Sequence, residues 1–484
     1  MGFTYGLAVV LFLFEGVIIQ CEGAGDGGSI EWIQNAPFIE IEIDKPFLPN
    51  DLIELIISKT DYKTIQKTVQ ERIVPANEIV MRRILQDCII AFMPEFDDET
   101  VEKYQLGDTF LIFGNYRKLH IFLDEFGDQI KKIGINLKES SNIPSEEIIQ
   151  DIIKRYAKNL EELRITTDDD EEFWEYILDG ENYTIFPEVK KFQLIGDSSE
   201  NELKLNLIFP KLECLSLLGY VADVNFLADV KTLKELTLLT SSIQEHQLDH
   251  IFENNINITK ISLLKPNRTE TMQSIAKHLT KLKTLKVDWP GGNFLLRPNN
   301  TFSVKLPSVN HFHILCDKMV EVFGIGDLNL SFDMPHLKKL TFYVDQADDR
   351  IINFIQHFQE LEILELSVNG YNAVEFIEKL KHIKEITTTF YGNQFESLKN
   401  MFENFDEESK LQTLKLVKFD ESLYKTYEDI IKEINAHLRY PMKSTWTLSH
   451  GKQNGTGEKY LMFRREPCTY ANLARNKWFP FENV

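Results

Sequence analysis

Leu212-Glu213-Cys214-Leu215-Ser216-Leu217 recurs in form as Leu233-Lys234-Glu235-Leu236-Thr237-Leu238, as Ile258-Thr259-Lys260-Ile261-Ser262-Leu263 and as Leu282-Lys283-Thr284-Leu285-Lys286-Val287. Each copy places an apolar residue, two variable ones, an apolar residue, one variable one and an apolar residue. The same phrase continues towards the N-terminus at Val189/Phe192/Leu194, Leu160/Leu163/Ile165 and Ile130/Ile133/Ile135. Towards the C-terminus it returns at Val309/Phe312/Ile314, Leu337/Leu340/Phe342, Leu361/Leu364/Leu366, Ile383/Ile386/Thr388 and Leu411/Leu414/Leu416. Twelve copies follow one another at intervals of 21 to 30 residues, and only Thr388 breaks the apolar rule. Self-similarity at such a period marks a solenoid in which each repeat buries its apolar face against its neighbours. Because the last apolar positions alternate with variable ones, each copy predicts a short strand with Leu215 and Leu217 inward and Cys214 and Ser216 outward. The thirty-six inward positions then make one continuous core, at ~1.5 to 3 kcal/mol for each fully buried aliphatic side chain.

Between copies the apolar period changes from 2 to about 3.6, so helices are expected to return the chain. Residues 145 to 157 place Ile148, Ile149, Ile152, Ile153 and Tyr156 on one stripe, and residues 348 to 358 do the same with Ile351, Ile352, Ile355 and Phe358. Ser242-Ile243-Gln244-Glu245 has the spacing of a reciprocal capping box.

The repeated phrase, L-x-x-L-x-L at this period, resembles the leucine-rich-repeat family over about 290 of the 484 residues. The resemblance implies an α/β horseshoe of about twelve strand-helix units, with strands on the concave side and helices on the convex side. Many such repeats carry an Asn three positions after the phrase, and here only Asn369 does so. That departure resembles the irregular, helix-backed repeats of intracellular proteins.

A net charge of -22 argues against a nucleic-acid partner. The five cysteines, Cys21, Cys88, Cys214, Cys316 and Cys468, are scattered and odd in number, unlike the clustered caps of extracellular repeats. The N-terminus points the other way. Leu7 to Phe14 is wholly apolar and Cys21-Glu22-Gly23 offers small residues where a signal peptidase reads, although no Lys or Arg precedes the run and Glu15 interrupts it. Residues 1 to 28 therefore read as a signal-like segment with a Gly-rich linker, or as a buried N-terminal segment. No transmembrane segment is expected.

Residues 29 to 129 read as a small, mostly helical domain. Within residues 44 to 75, Leu48-Pro49-Asn50-Asp51-Leu52-Ile53-Glu54-Leu55-Ile56-Ile57 followed by Thr60-Asp61-Tyr62 resembles the opening of an F-box, although the Cys and Trp of that family's later motif are absent from Val69-Gln70-Glu71-Arg72-Ile73. The alternative is that Pro49 starts an amphipathic capping helix. The layout resembles F-box/leucine-rich-repeat proteins, substrate receptors of cullin-RING ubiquitin ligases. The resemblance implies an adaptor contact through Leu48, Pro49, Leu52 and Ile56, substrate binding by the repeats, and a cytoplasmic or nuclear location. A secreted recognition protein is the competing expectation if residues 1 to 23 act as a signal peptide; sequons at Asn182, Asn257, Asn267, Asn299, Asn329 and Asn454 are compatible with it.

Catalytic signatures are missing: the sequence has no H-E-x-x-H, G-x-S-x-G, P-loop or C-x-x-C. No enzyme activity, metal or cofactor is expected. Asp168-Asp169-Asp170-Glu171-Glu172 reads as a solvated loop, since it lacks the alternating ligands and turn Gly of a calcium loop. The repeat array, residues 130 to 440, gives way to residues 441 to 484. There, strands over 444 to 450 and 459 to 464 flank a Gly-rich turn and predict a hairpin that covers the open edge. Tyr470, Trp478, Phe479 and Phe481 are expected to pack on it.

The outward strand positions carry Lys132, Arg164, Lys191, Lys260, Lys286, Lys339 and Lys415 against Glu162, Glu235, Glu365 and Glu385, a strip of net +3 in a chain of net -22. His311 and His313 share that face, and Thr and Ser residues fill much of the rest. An acidic or phosphorylated protein segment is the expected partner, held around Arg164, Lys260, Lys286, His311, His313 and Lys339. Solubility and β-propensity alone also favour Lys and Thr on such a face.

Overall fold

The computed structural model describes residues 85, 89–93, 110–137, 145–169, 173–174, 177, 184–197, 204–219, 224–240, 243–264, 270–289, 302–316, 330–344, 349–368, 377, 379–389, 395–403, 409–417, 446–452 and 459–465. The signal-like segment, the F-box-like stretch with Leu48, Pro49, Leu52 and Ile56, and the four tail aromatics lie outside the described residues. The chain divides into two compact units, Met1–Thr166 and Thr167–Val484.

In the first unit, β1 (Ile89–Phe92) pairs in parallel with β2 (Phe110–Phe113) on one side and β3 (Lys132–Asn136) on the other. β3 in turn pairs in parallel with β4 (Glu162–Asp169). The parallel sheet thus begins inside the block expected to be mostly helical. Ile89-Ile90-Ala91-Phe92 is buried at every position, and a strand buried on both faces reads as an unbroken apolar run that periodicity cannot separate from a helix. Among the described residues of that block lies a helix, α1 (Tyr116–Phe126), capped where Asn115 Oδ1 accepts from the Lys118 N–H at 3.1 Å. α2 (Ser145–Ile148) continues as a wider π turn over Ile149–Lys154. Ile148, Ile149, Ile152, Ile153 and Tyr156 are all buried there, as the stripe requires.

The second unit is built from one parallel strand per repeat. These are β5 (Lys191–Asp197), β6 (Cys214–Leu217), β7 (Glu235–Leu239), β8 (Lys260–Leu264), β9 (Thr284–Trp289), β11 (His311–Cys316), β13 (Lys339–Val344), β14 (Ile363–Val368), β15 (Glu385–Thr389) and β16 (Thr413–Val417). Register is kept residue for residue, so Leu236, Ile261, Leu285, Phe312, Leu340, Leu364, Ile386 and Leu414 form one straight inward row. None of the thirty-six phrase positions is more than 4% exposed. Backbone bonds repeat with the same period. The Lys234 carbonyl accepts from the N–H groups of Thr259 and Lys260, and those of Thr259, Lys283, Asn310, Lys338, Glu362 and Lys384 each accept two from the repeat that follows.

Three residues before the phrase, in the repeats described there, lies a further buried position that the six-residue pattern leaves out. Phe186, Phe209, Val230, Leu279, Leu306, Met334, Phe358 and Leu380 each offer a carbonyl to the N–H of the first phrase residue, closing a four-residue turn. Pro187, Pro210, Pro307 and Pro335 stand directly after four of them, the turn position that proline pre-sets. Among the described residues at this position, Asn255 is the polar exception. It is 1% exposed, and its Nδ2 donates to the carbonyls of Leu227 at 2.9 Å and Ile251 at 3.0 Å.

Among the described residues, the helices backing the sheet are α3 (Leu205–Ile208), α4 (Glu245–Asn254), α5 (Glu270–His278), α6 (Asp349–Gln356) and α7 (Phe395–Glu403). α3 is a single turn, and the described stretch before β7 carries a 3-10 turn over Asn225–Asp229. β10 (Phe302–Lys305) and β12 (Leu330–Asp333) occupy the equivalent stretch in two consecutive repeats and pair with each other in parallel. Their sequences alternate, burying Val304 and Leu306 from one and Phe332 and Met334 from the other. The start of α4 is also shifted from the Ser242/Glu245 box: the Gln244 N–H donates to Gln247 Oε1 at 3.0 Å.

At the C-terminal end, β18 (Lys459–Arg465) pairs antiparallel with β16 and with β17 (Trp446–Lys452). Phe402 of α7 packs on this hairpin, 5.5 Å from the Trp446 ring and 5.1 Å from Phe463. One parallel strand per repeat, in constant register over a core made by the recurring phrase, is the leucine-rich-repeat solenoid.

Candidate functional site: the outward sheet face

The period-2 alternation that buries the phrase turns the intervening residues to the opposite face, and constant register lines them into rows across the strands. Between β7 and β14 the first row runs Glu235, Lys260, Thr284, His311, Lys339, Ile363. The second runs Thr237, Ser262, Lys286, His313, Thr341, Glu365, and the third Leu239, Leu264, Asp288, Leu315, Tyr343, Ser367. Five of the six residues expected to hold a partner, Lys260, Lys286, His311, His313 and Lys339, are brought together here on four adjacent strands. Arg164 lies on β4 in the first unit, where Nη2 is 2.6 Å from Glu162 Oε1.

The face is less basic than its residue count. Lys260 Nζ is 2.9 Å from Glu235 Oε2 across the strands, and Lys339 Nζ is 2.8 Å from Glu365 Oε1. Thr341 donates its hydroxyl to Glu365 Oε2 at 2.9 Å, and His311 Nε2 lies 3.4 Å from that same hydroxyl oxygen. Burial raises the Glu365 carboxyl, but the hydrogen bonds from Lys339 and Thr341 outweigh it and leave it below the usual range. Burial, with Lys339 nearby, pushes His311 below the ordinary imidazole range. His313 is pushed down to about 4 by burial and by the charges of Lys286 and His311. Both rings are accordingly neutral at pH 7, and that of His313 packs 5.5 Å from the Tyr343 ring. Lys286 differs from the other cations of the face, because the described residues supply it with no ion pair. Among the described residues, the sequence strip of net +3 thus becomes, between β7 and β14, two compensated pairs, two neutral imidazoles and Lys286, which has no ion pair there but shares its strand and face with the carboxylate of Asp288.

The third row was not read as part of the face, since the six-residue phrase stops one residue short of it. Leu239, Leu264, Leu315 and Tyr343 are all partly exposed. Their signal is simply that outward positions recur every second residue, so the residue after the last apolar one is outward too.

Elsewhere, Asp249 of α4 accepts hydrogen bonds from Ser274 Oγ at 2.6 Å, His278 Nε2 at 3.0 Å and Lys277 Nζ at 3.4 Å, all on α5. These bonds hold its carboxyl below the usual range. The carboxylate stands between hydroxyl and imidazole, so this cluster ties two helices together and gives the serine no base. Asp168 and Asp169 of the acidic run belong to the end of β4, and residues 170–172 lie outside the described residues. Among the described residues no three His, Cys, Asp or Glu side chains gather as a metal site, no helix is long and apolar enough to cross a membrane, and Cys214 is a free thiol.

No protein-family model and no curated protein matches the chain. Solved structures to which it is similar include an internalin (inlF) from Listeria monocytogenes str. 4b F2365, at 11% identity over 60% of this chain and 75% of that one, with a TM-score of 0.25. The Drosophila Toll–Spatzle complex matches at 14% identity over 63% of this chain and 48% of that one, TM-score 0.29. The TLR13–ssRNA13 complex matches at 14% identity over 62% and 55%, TM-score 0.30. The chain thus spans about half the length of the Toll and TLR13 chains.

Proposed function

We propose that this chain is a recognition scaffold without catalytic activity, and that the outward sheet face of β7 to β14 receives a segment of a protein partner. The observation that carries the reading is the constant register, which sets charged, hydroxyl and apolar rows side by side on one sheet face. Such a face offers burial, hydrogen bonds and, in Lys286, a cation without an ion pair among the described residues, the mixture that protein interfaces use. Unbiased peptide display against the full chain tests it. Binders should lose affinity with Thr237→Arg or Tyr343→Asp and keep it with Lys277→Glu on the helical side. Binders insensitive to both outward substitutions would sink the assignment.

The resemblance of residues 44 to 75 to an F-box extends the reading to a substrate receptor of a cullin-RING ligase, cytoplasmic or nuclear, with Leu48, Pro49, Leu52 and Ile56 meeting the adaptor. That role rests on the sequence of this stretch. Pull-down of the isolated adaptor, lost with Leu52→Asp, supports it, and no binding by the full chain removes it. A glycosidase-sensitive mass shift of protein made in animal cells would instead favour the secreted reading.

A further inference from the structure

The third row of the outward face has its own geometry. Leu239 and Leu264 are direct neighbours on β7 and β8, Leu315 and Tyr343 are direct neighbours on β11 and β13, and Asp288 separates the two pairs. Neighbouring residues of such a row lie about 4.8 Å apart. That step is close to the ~4.5 to 6 Å rise between i and i+3 or i+4 residues of a helix. It is well short of the ~6.8 Å between same-side residues of an extended segment. One row inward, on the same strand as Asp288, stands Lys286, the cation of this face that the described residues leave without an ion pair.

We propose that the third row is the seat of an amphipathic helix of a protein partner, lying across β7 to β13 with its apolar stripe on Leu239, Leu264, Leu315 and Tyr343 and a carboxylate of its flank on Lys286. This deepens, and rests on, the reading of the outward face as a docking surface. The occupant is a helix because its side-chain repeat matches the strand spacing, and it is amphipathic because only one row is apolar while the next is hydroxyl-rich and polar. It carries a carboxylate at that point rather than a run of phosphates, because Lys260 and Lys339 already hold Glu235 and Glu365. In a chain of net charge -22, a single buried contact with Lys286 suits a partner of low net negative charge better than a strongly anionic one.

The test uses the full chain and two displayed libraries, one of helix-favouring peptides and one matched but broken by a central proline. Binders should come from the helical library, with apolar residues spaced about i, i+3, i+10 and i+14, a polar residue near i+7 where the helix crosses Asp288, and an acidic residue beside the stripe. Leu264→Asp and Leu315→Asp should each weaken them by about tenfold or more, with unchanged circular dichroism. Lys286→Glu, a partly exposed position that leaves the core untouched, should weaken them by about tenfold, and exchanging the peptide's acidic residue for Lys should restore binding to that variant. Binders that come equally from the proline library, or that keep their affinity with Leu264→Asp, Leu315→Asp and Lys286→Glu but lose it with Thr237→Arg, overturn the helix and leave the docking face standing. Absence of binders from both libraries, or indifference to every outward substitution, overturns both.

Discussion

Replacing Thr388 by Val should make the protein more stable, although it removes a hydrogen-bonding group. Thr388 occupies the last inward position of its repeat between Leu366 and Leu416, is 1% exposed, and its Oγ1 has no hydrogen-bond partner. Leaving a buried hydroxyl unsatisfied costs about 1 to 3 kcal/mol. Valine keeps the branched shape, so the exchange opens no cavity and adds no volume that the site must absorb. A gain of ~1 to 2 kcal/mol follows, read as a rise in the urea midpoint at unchanged slope. Thr341→Val is the control. That threonine is 2% exposed, but its hydroxyl donates to Glu365 and lies against His311. Its loss should lower the midpoint by ~1 to 3 kcal/mol, since the carboxylate is left short of a donor. A midpoint lowered by Thr388→Val, or raised by Thr341→Val, would refute the assignment of the two hydroxyls to opposite faces of the sheet.

Leu236→Ala and Leu340→Ala, each in the middle of the inward row and at most 1% exposed, should cost ~2 to 5 kcal/mol in urea unfolding through lost transfer energy and a cavity. Asn255→Asp should destabilise by at least ~2 kcal/mol, because a buried carboxylate would face the carbonyls of Leu227 and Ile251; Asn255→Leu, matching the buried Leu279, Leu306 and Leu380 at this position in other repeats, should be far milder. For His313, the folded pKa of about 4 lies below the unfolded value. The unfolded chain therefore binds a proton that the native one refuses, and stability falls as pH drops from about 6.5 to about 4. The ring is partly exposed, so the loss should be ~1 to 2 kcal/mol rather than the full converted shift. His313→Gln should remove that part of the slope when urea midpoints are compared across this range.

The inward core was legible because its signal is redundant: thirty-six positions repeat one phrase, and any single one, even Thr388, could be polar without hiding the period. The backing elements were less so. β10 and β12 alternate as openly as the phrase strands, with Val304 and then Leu306, or Phe332 and then Met334, buried, whereas the leucine-rich-repeat resemblance implies a strand-helix unit in each repeat. β1 carried no alternation to read, being buried throughout. On the outward face the right strands and most of the right residues were visible, yet counting charges could not show that Lys260 reaches Glu235 or that Lys339 reaches Glu365. Those pairings depend on which residue of the next repeat stands opposite, and repeats of 21 to 30 residues fix this only once the register is formed.

The central claim, that the outward face of β7 to β13 is open in the free protein and covered by its partner, is tested most directly by thiol labelling of single cysteines. With Cys21, Cys88, Cys214, Cys316 and Cys468 all replaced by Ser, cysteines introduced singly at Thr237, Lys286, Leu315 and Tyr343 should react readily in the native protein. Those at Lys286, Leu315 and Tyr343 should be protected when a selected helical peptide is bound, while one at Lys277 on α5 keeps its rate. Unreactive outward cysteines in the free protein, or labelling rates that do not change when the peptide binds, would contradict the account.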